Sequence, residues 1–216
     1  MRPPIVLRAA DIVAQRPDGI ADDVHFTEAL AASVIGHASR PGDLVLDPFA
    51  GYGTTLVVAE RLGRRAIGIE LLSAHLDIAR RRTTGAARLI LGDARRVGEL
   101  VHEPIDLVLT SPPYMPARDH VENPLTGYTT RDGDYETYLA ELGDVFGQVA
   151  GLLRPGGQLV INVADPVALD GAVTPLVDDL AGVVDPHIPL LGLTRLRWDI
   201  HPAGLERDCL LWFRRI

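Results

Sequence analysis

The sequence predicts an α/β fold, a mostly parallel seven-stranded sheet with helices on both faces and an antiparallel hairpin at its C-terminal end. Three observations predict it. Short apolar runs alternate with segments whose apolar residues recur at helical spacing, the pattern of strand-helix-strand units. Several of these runs close on a carboxylate or on an unusual polar sequence, at the edge where open parallel sheets bind ligands. The last two runs have no helix between them, so they must pair antiparallel, as a hairpin at the sheet edge.

The elements follow in order. Residues 1–24 show no clear period and read as an irregular lead-in. From Thr27 to Ser39, Leu30, Val34, Ile35 and Ala38 fall on one helical face, with Thr27 as N-cap. Arg40-Pro41-Gly42-Asp43 breaks that helix before the strand Leu44–Asp47. A glycine loop leads into a helix from Thr54 to Leu62, which Gly63 ends. Strand Ala66–Glu70, helix Ser73–Arg82 and strand Ala87–Leu91 continue the alternation. A short helix near Arg95–Val101 precedes strand Ile105–Thr110, which runs directly into Ser111-Pro112-Pro113-Tyr114. Residues 115–133 are loop-like, and Asp134 caps a long helix through Leu153. Arg154-Pro155-Gly156-Gly157 reads as a turn, Gln158–Ala164 as a strand and Val173–Val184 as a helix. Strands near Leu193–Ile200 and Asp208–Arg214 form the hairpin, joined by His201–Arg207.

Composition narrows the classes. A chain of 216 residues with 47% hydrophobic residues suits one globular domain, residues 1–216. No apolar run approaches the ~18 residues that span a bilayer, and the N-terminus lacks a signal-peptide pattern, so a soluble cytoplasmic protein is expected without a membrane partner. The single cysteine, Cys209, excludes an internal disulfide and a cysteine metal cluster, and no metal site is expected. With 21 basic and 29 acidic residues the net charge is −8, unfavourable for unaided binding to phosphate backbones. All 21 basic residues are arginine, which suits bidentate phosphate contacts and is equally a product of GC-rich coding.

Four consecutive strands end in Asp47, Glu70, Asp93 (after Gly92) and Ser111. A carboxylate after one strand is ordinarily a helix cap or a solvated turn. Four in register at one edge point to a ligand pocket. In Asp47-Pro48-Phe49-Ala50-Gly51-Tyr52-Gly53-Thr54-Thr55, the two glycines allow a sharp bend and close approach. The helix that follows presents free N–H groups suited to a carboxylate. The pattern is neither a phosphate-binding P-loop nor the full dinucleotide fingerprint. Glu70, with Leu71 beside it, is placed to accept from ribose hydroxyls, and Asp93, with Ala94, from an adenine amino group. Together they describe a pocket for an adenosine carrying an amino-acid tail.

The loop Asp47–Thr55 resembles the cofactor loop Asp-Pro-Phe-x-Gly-x-Gly-Thr-Thr of amino-directed DNA methyltransferases. Ser111-Pro112-Pro113-Tyr114 resembles their catalytic tetrapeptide, in the serine form associated with N4-cytosine enzymes. His25-Phe26-Thr27-Glu28-Ala29-Leu30 is similar to the segment that contacts the methionine end of their cofactor, and Cys209–Arg214 to their final strand. The resemblance covers roughly residues 25–216. It implies the Rossmann-like class I methyltransferase fold, S-adenosylmethionine as cofactor, and transfer to an exocyclic amino group, with DNA favoured over RNA. It implies cofactor contacts from His25, Thr27, Asp47–Gly51, Gly53, Thr54, Thr55, Glu70, Leu71, Asp93 and Ala94. An aromatic amino nitrogen is a poor nucleophile because its lone pair is delocalised. Acceptors on Ser111 and Pro112 would favour a pyramidal nitrogen, the prolines would stiffen the loop, and Tyr114 would stack on the base.

The chain also departs from the family pattern. Tyr52 stands where serine is frequent, and the cofactor loop precedes the catalytic motif, the reverse of many serine-type enzymes. No target-recognition domain is visible. Residues 115–133, with Tyr128, form the one sizeable insertion and read as a substrate-facing loop or a plain connector. Recognition then requires a partner subunit, a homodimer or a single-stranded target. His201 and Arg207 lie where related enzymes often hold the flipped base. Arg80-Arg81-Arg82 reads as a solvated helix end, or with Arg61, Arg64 and Arg65 as a basic patch. Trp198 and Trp212 read as packing residues. An RNA amino-methyltransferase and a cofactor-binding subunit without catalysis remain alternatives.

Overall fold

The computed structural model describes residues 4–18, 20 and 26–216. The strands are β1 (Ile5–Leu7), β2 (Leu44–Asp47), β3 (Arg65–Glu70), β4 (Arg88–Leu91), β5 (Ile105–Thr110), β6 (Leu153–Pro166), β7 (Leu190–Trp198) and β8 (Leu205–Arg214). The helices are α1 (Ala9–Ala14), α2 (Glu28–Ala38), α3 (Thr54–Arg61), α4 (Ser73–Arg82), α5 (Val97–Leu100), α6 (Tyr135–Leu152) and α7 (Leu176–Val184). All strands join one sheet in the order β1-β7-β8-β6-β5-β2-β3-β4. Only β8 runs against its neighbours, β6 and β7. From β2 the chain steps outward through β3 to β4, then returns to lay β5 on the other side of β2. The sheet order reverses between β2 and β5, so a crevice opens beyond their carboxyl ends.

Alternation along the strands sorts the core. Leu44 and Leu46 of β2 and Val108 of β5 pack toward α5, α6 and α7. Val45, Leu107 and Leu109 pack toward α2 and α3. The register pairs Val45 with Leu107 and Leu46 with Val108, so matching faces meet across the two strands. Asp134 begins α6 as expected, its Oδ2 accepting the Thr137 amide at 2.8 Å.

Three expectations are corrected. Part of the lead-in is regular: Ile5–Leu7 pairs parallel with Leu196–Trp198, making an eighth strand, and α1 follows. Three residues are too few to display a period, and only the neighbouring edge of β7 makes them a strand. The hairpin consequently does not form the sheet edge, and β8 is inserted between β6 and β7. Arg154–Gly157 is not a turn before a strand but an irregularity inside β6. Leu153 pairs with Ile105, and pairing resumes at Gln158 opposite Leu107. Gly156 takes φ +81° there, a left-handed conformation that glycine adopts freely.

Candidate active site

The two motifs meet at the crevice. Asp47 ends β2 with its carboxylate buried. Its Oδ2 accepts the Thr55 hydroxyl at 2.6 Å, and its Oδ1 accepts the Thr110 hydroxyl at 2.7 Å and the Phe49 amide at 3.1 Å. One side chain thus joins the glycine loop, the first turn of α3 and the end of β5. Burial pushes the Asp47 carboxyl up to about 6, against the opposing pull of those hydrogen bonds.

Glu70 ends β3 and braces the loop from the other side. Its Oε2 accepts the Gly51 amide and its Oε1 the Leu72 amide, both at 2.8 Å. Each oxygen keeps a further acceptor lone pair. The Ala50 amide donates to the Ile69 carbonyl and the Gly53 amide to the Ala50 carbonyl, each at 2.8 Å, so the loop is held before any ligand arrives. Gly51 and Gly53 have φ +52° and +82°. A Cβ on Gly51 would meet open space, whereas one on Gly53 would stand 2.9 Å from the Ala79 Cβ. The first glycine leaves room for a ligand, and the second lets α4 pack against the loop.

A cleft is lined by Phe26, Asp47, Phe49, Ala50, Gly51, Tyr52, Thr54, Thr55 and Ser111. Gly53 offers no side chain to cap α3, so its first N–H groups stay available beside Thr54 and Thr55. Pro48 is buried under the loop. Tyr52 is buried, with its ring edge-on to His75 at 4.7 Å, so the family's frequent serine is replaced by a packing residue.

The tetrapeptide leaves β5 at Thr110 and is braced by two tyrosines. The Tyr138 hydroxyl donates to the Pro113 carbonyl at 2.9 Å and the Tyr128 hydroxyl to the Tyr114 carbonyl at 2.6 Å. Among the described residues no group donates to the Pro112 carbonyl. The Tyr114 ring packs against the core, with its hydroxyl facing the Ser111 side chain and the Ala164 backbone. Burial holds that hydroxyl well above its usual range.

Other sequence-predicted residues lie apart from this cleft. Thr27 spends its hydroxyl oxygen as the α2 cap, accepting the Leu30 amide at 3.2 Å, while its neighbour Phe26 lines the cleft. His25 falls outside the described residues. Leu71 is partly exposed beside Glu70, and Ala94 is buried. Asp93 caps a short 3-10 turn and is taken up by Arg95, whose Nε and Nη2 reach its Oδ2 at 2.9 and 2.7 Å. Burial alone would raise Asp93, but the Arg95 hydrogen bonds and charge leave it below the usual carboxylate range. Arg207 is bound to Asp178 on α7 through two 2.7 Å contacts, and His201 is exposed with Nδ1 at 3.0 Å from the Pro202 carbonyl.

Sequence reasoning missed Thr110, Tyr138 and Arg82. Thr110 was signalled only as the one hydroxyl closing an apolar strand. Tyr138 was hidden in the apolar face of α6. Arg82 is the third of three arginines at a helix end, a pattern that reads as a solvated end or part of a basic patch and carries no local signal of burial.

The fold is that of class I methyltransferases, and the crevice at the end of its sheet suits S-adenosylmethionine. Residues 21–81 match the family model for N6/N4 DNA methylases. The chain is 53% identical over 55 residues to the type II methyltransferase M2.DpnII of Streptococcus pneumoniae, covering 26% of this chain and 20% of that one. It is 37% identical over 99 residues to the type II methyltransferase M.HinfI of Haemophilus influenzae, covering 44% of this chain and 24% of that one. The matches thus span about a quarter or less of these relatives. Among solved structures, TrmN from Thermus thermophilus superposes with TM-score 0.65 at 22% identity, over 88% of this chain and 49% of that one. A TehB-like S-adenosylmethionine-dependent methyltransferase from Corynebacterium glutamicum gives 0.58 at 17% identity, over 86% and 87%. At these identities the structures share the fold. The residues present fit S-adenosylmethionine: open space at Gly51, an uncapped helix start and the Asp47 carboxylate border one crevice, with the Glu70 carboxylate bound to the Gly51 amide beside it.

Proposed function

We propose that residues 1–216 act as one catalytic domain that methylates the exocyclic amino group of a nucleobase, with N4 of cytosine in DNA as the acceptor. The observation that carries this reading is that Ser111 lines the same cleft as the cofactor loop. The serine form of the tetrapeptide supports cytosine, and the DNA methylase relatives support DNA.

S-adenosylmethionine supplies an electrophilic methyl group. The chain's own residues prepare the nucleophile. The Ser111 hydroxyl and the Pro112 carbonyl accept the two amino N–H groups and turn the nitrogen lone pair toward the cleft. Tyr138 and Tyr128 occupy the next two carbonyls, so the substrate finds the Pro112 carbonyl as the open acceptor. The proton shed by nitrogen leaves along one of these hydrogen bonds to water. Asp47 is too fully engaged with Thr55, Thr110 and Phe49 to serve as the base, and its role is to fix the two motifs against each other. A duplex base must be flipped out to reach this position. Residues 115–133 form the substrate-facing insertion. By the resemblance, His201 in the β7–β8 loop and Arg207 on β8 are the residues assigned to the acceptor base. Target choice comes from a partner, a second copy or a single-stranded substrate, in the cytoplasm.

The test is nucleoside mass spectrometry after incubation with S-adenosylmethionine and mixed single- and double-stranded DNA and RNA. N4-methylcytosine in DNA is expected. N6-methyladenine would overturn the choice of base, and transfer to RNA alone the choice of nucleic acid. Cofactor binding with no transfer at all would favour a non-catalytic subunit.

A further inference from the structure

The third arginine of Arg80-Arg81-Arg82 is not solvated as its neighbours are. The Arg82 side chain is 18% exposed, and its Nη1 donates to the Tyr52 carbonyl at 2.7 Å and to the Thr54 Oγ1 at 3.2 Å. Its Nη2 lies 3.6 Å from Glu28 at the start of α2. Burial pulls its pKa below the usual arginine value, opposed by the Glu28 charge. A desolvated guanidinium is retained only where its hydrogen bonds are made.

Arg82 belongs to a stripe. His75, Ala79 and Arg82 lie four and three residues apart on α4, which places them on one face. The His75 ring meets Tyr52 at 4.7 Å, and its Nδ1 lies 3.7 Å from Glu70. Ala79 abuts Gly53 so closely that a Cβ there would stand 2.9 Å away. Arg82 then binds residues 52 and 54. Three consecutive loop residues, 52 to 54, are therefore gripped from behind by one helix face. The Tyr52 carbonyl is a loop acceptor taken by a side chain from another element.

We propose that Arg82 is a positioning residue for the cofactor. By holding the Tyr52–Thr54 backbone it sets the Gly51 opening and the first N–H groups of α3 before S-adenosylmethionine arrives. The cost of ordering the loop is met in folding rather than in binding. Arg82 touches neither acceptor nor tetrapeptide, so it acts on cofactor affinity and not on the transfer step.

The test is calorimetric binding of S-adenosylhomocysteine without nucleic acid, with thermal melting and steady-state kinetics. Arg82→Gln should weaken binding by about tenfold or more. It should raise the KM for S-adenosylmethionine by a similar factor, leaving kcat at saturation and the acceptor KM near wild type. Arg82→Lys should recover part of the affinity. Arg64→Gln, which loses bonds to Ser39 and Leu62 but none to the loop, should bind as wild type does. Unchanged affinity in Arg82→Gln, or an equal loss in Arg64→Gln, overturns the proposal. If Arg82→Gln does not fold, Arg82→Lys decides: weakened binding with normal melting supports it, and wild-type binding overturns it. No binding by the wild type would instead remove the cofactor assignment on which the proposal rests.

Discussion

Asp47 shows how one residue carries structure and chemistry together. Its three hydrogen bonds hold the motifs in place, yet its burial leaves the carboxyl at about 6. A folded-state pKa above the unfolded value means the folded chain binds the extra proton. That stabilisation is full below pH 4 and is lost as pH rises toward 6. A cationic ligand reverses the preference, because a sulfonium and an ammonium favour the ionised carboxylate. S-adenosylmethionine affinity should therefore fall by up to about tenfold per unit as pH drops below 6, read by calorimetry from pH 5 to 7.5. A flat profile would mean that Asp47 keeps one charge state throughout. Gly68 offers a second test at this scale. A Cβ there would stand 2.6 Å from Leu56 Cδ1 and 2.9 Å from Ala50 Cβ. Gly68→Ala should lift α3 and the glycine loop off β3, costing roughly 1–3 kcal/mol of stability in denaturant melts. It should also weaken cofactor binding.

Among elements, α6 and the insertion behave as one brace. Tyr138 from α6 and Tyr128 from residues 115–133 hold adjacent carbonyls of the tetrapeptide. Arg118 lies 4.7 Å over the Tyr135 ring and pairs with Asp179 of α7, tying the insertion to the helices beneath. Tyr138→Phe keeps the ring and removes one hydrogen bond. It should lower the rate of methyl transfer by roughly tenfold while leaving cofactor affinity unchanged. Single-turnover kinetics beside calorimetry would separate the two effects, and equal losses in both would show a general loosening instead. β1 is the element of opposite kind, stabilising without touching the cleft. Leu7 is buried at 2% exposure against α2 and β7. Leu7→Asp should detach β1 and speed hydrogen exchange along the outer edge of β7.

For the whole molecule, charge sets the limit. With net charge −8, and with arginines such as Arg61, Arg95 and Arg207 paired to Glu28, Asp93 and Asp178, the chain carries an excess of negative charge that opposes phosphate binding. Few counterions are released per binding event. Affinity for single-stranded DNA should be weak and depend only shallowly on salt, with a log-log slope of about −2 or less in magnitude. Fluorescence anisotropy across a salt series measures this, and a steep slope would show a basic surface formed only in the complex. Among the described residues no helix is long and apolar enough to cross a membrane.

The sequence alone determined the alternation of strands and helices from α2 onward, the parallel sheet and the two motifs, because each is written locally in apolar period, glycine placement and strand-end carboxylates. It also held Thr27 and Asp134 as caps, since a cap is decided within three residues. Only the tertiary structure decided which of these polar groups face the crevice. Asp47 is held by Thr110, 63 positions away, and Asp93 is drawn off by Arg95, which Glu141 of α6 pairs in turn. Arg82 looked like its solvated neighbours until the fold laid α4 behind the glycine loop. β1 became a strand only because β7 offered an edge. Long-range contacts of this kind leave no mark within a sequence window, because the partner that fixes each residue's role is supplied by the fold.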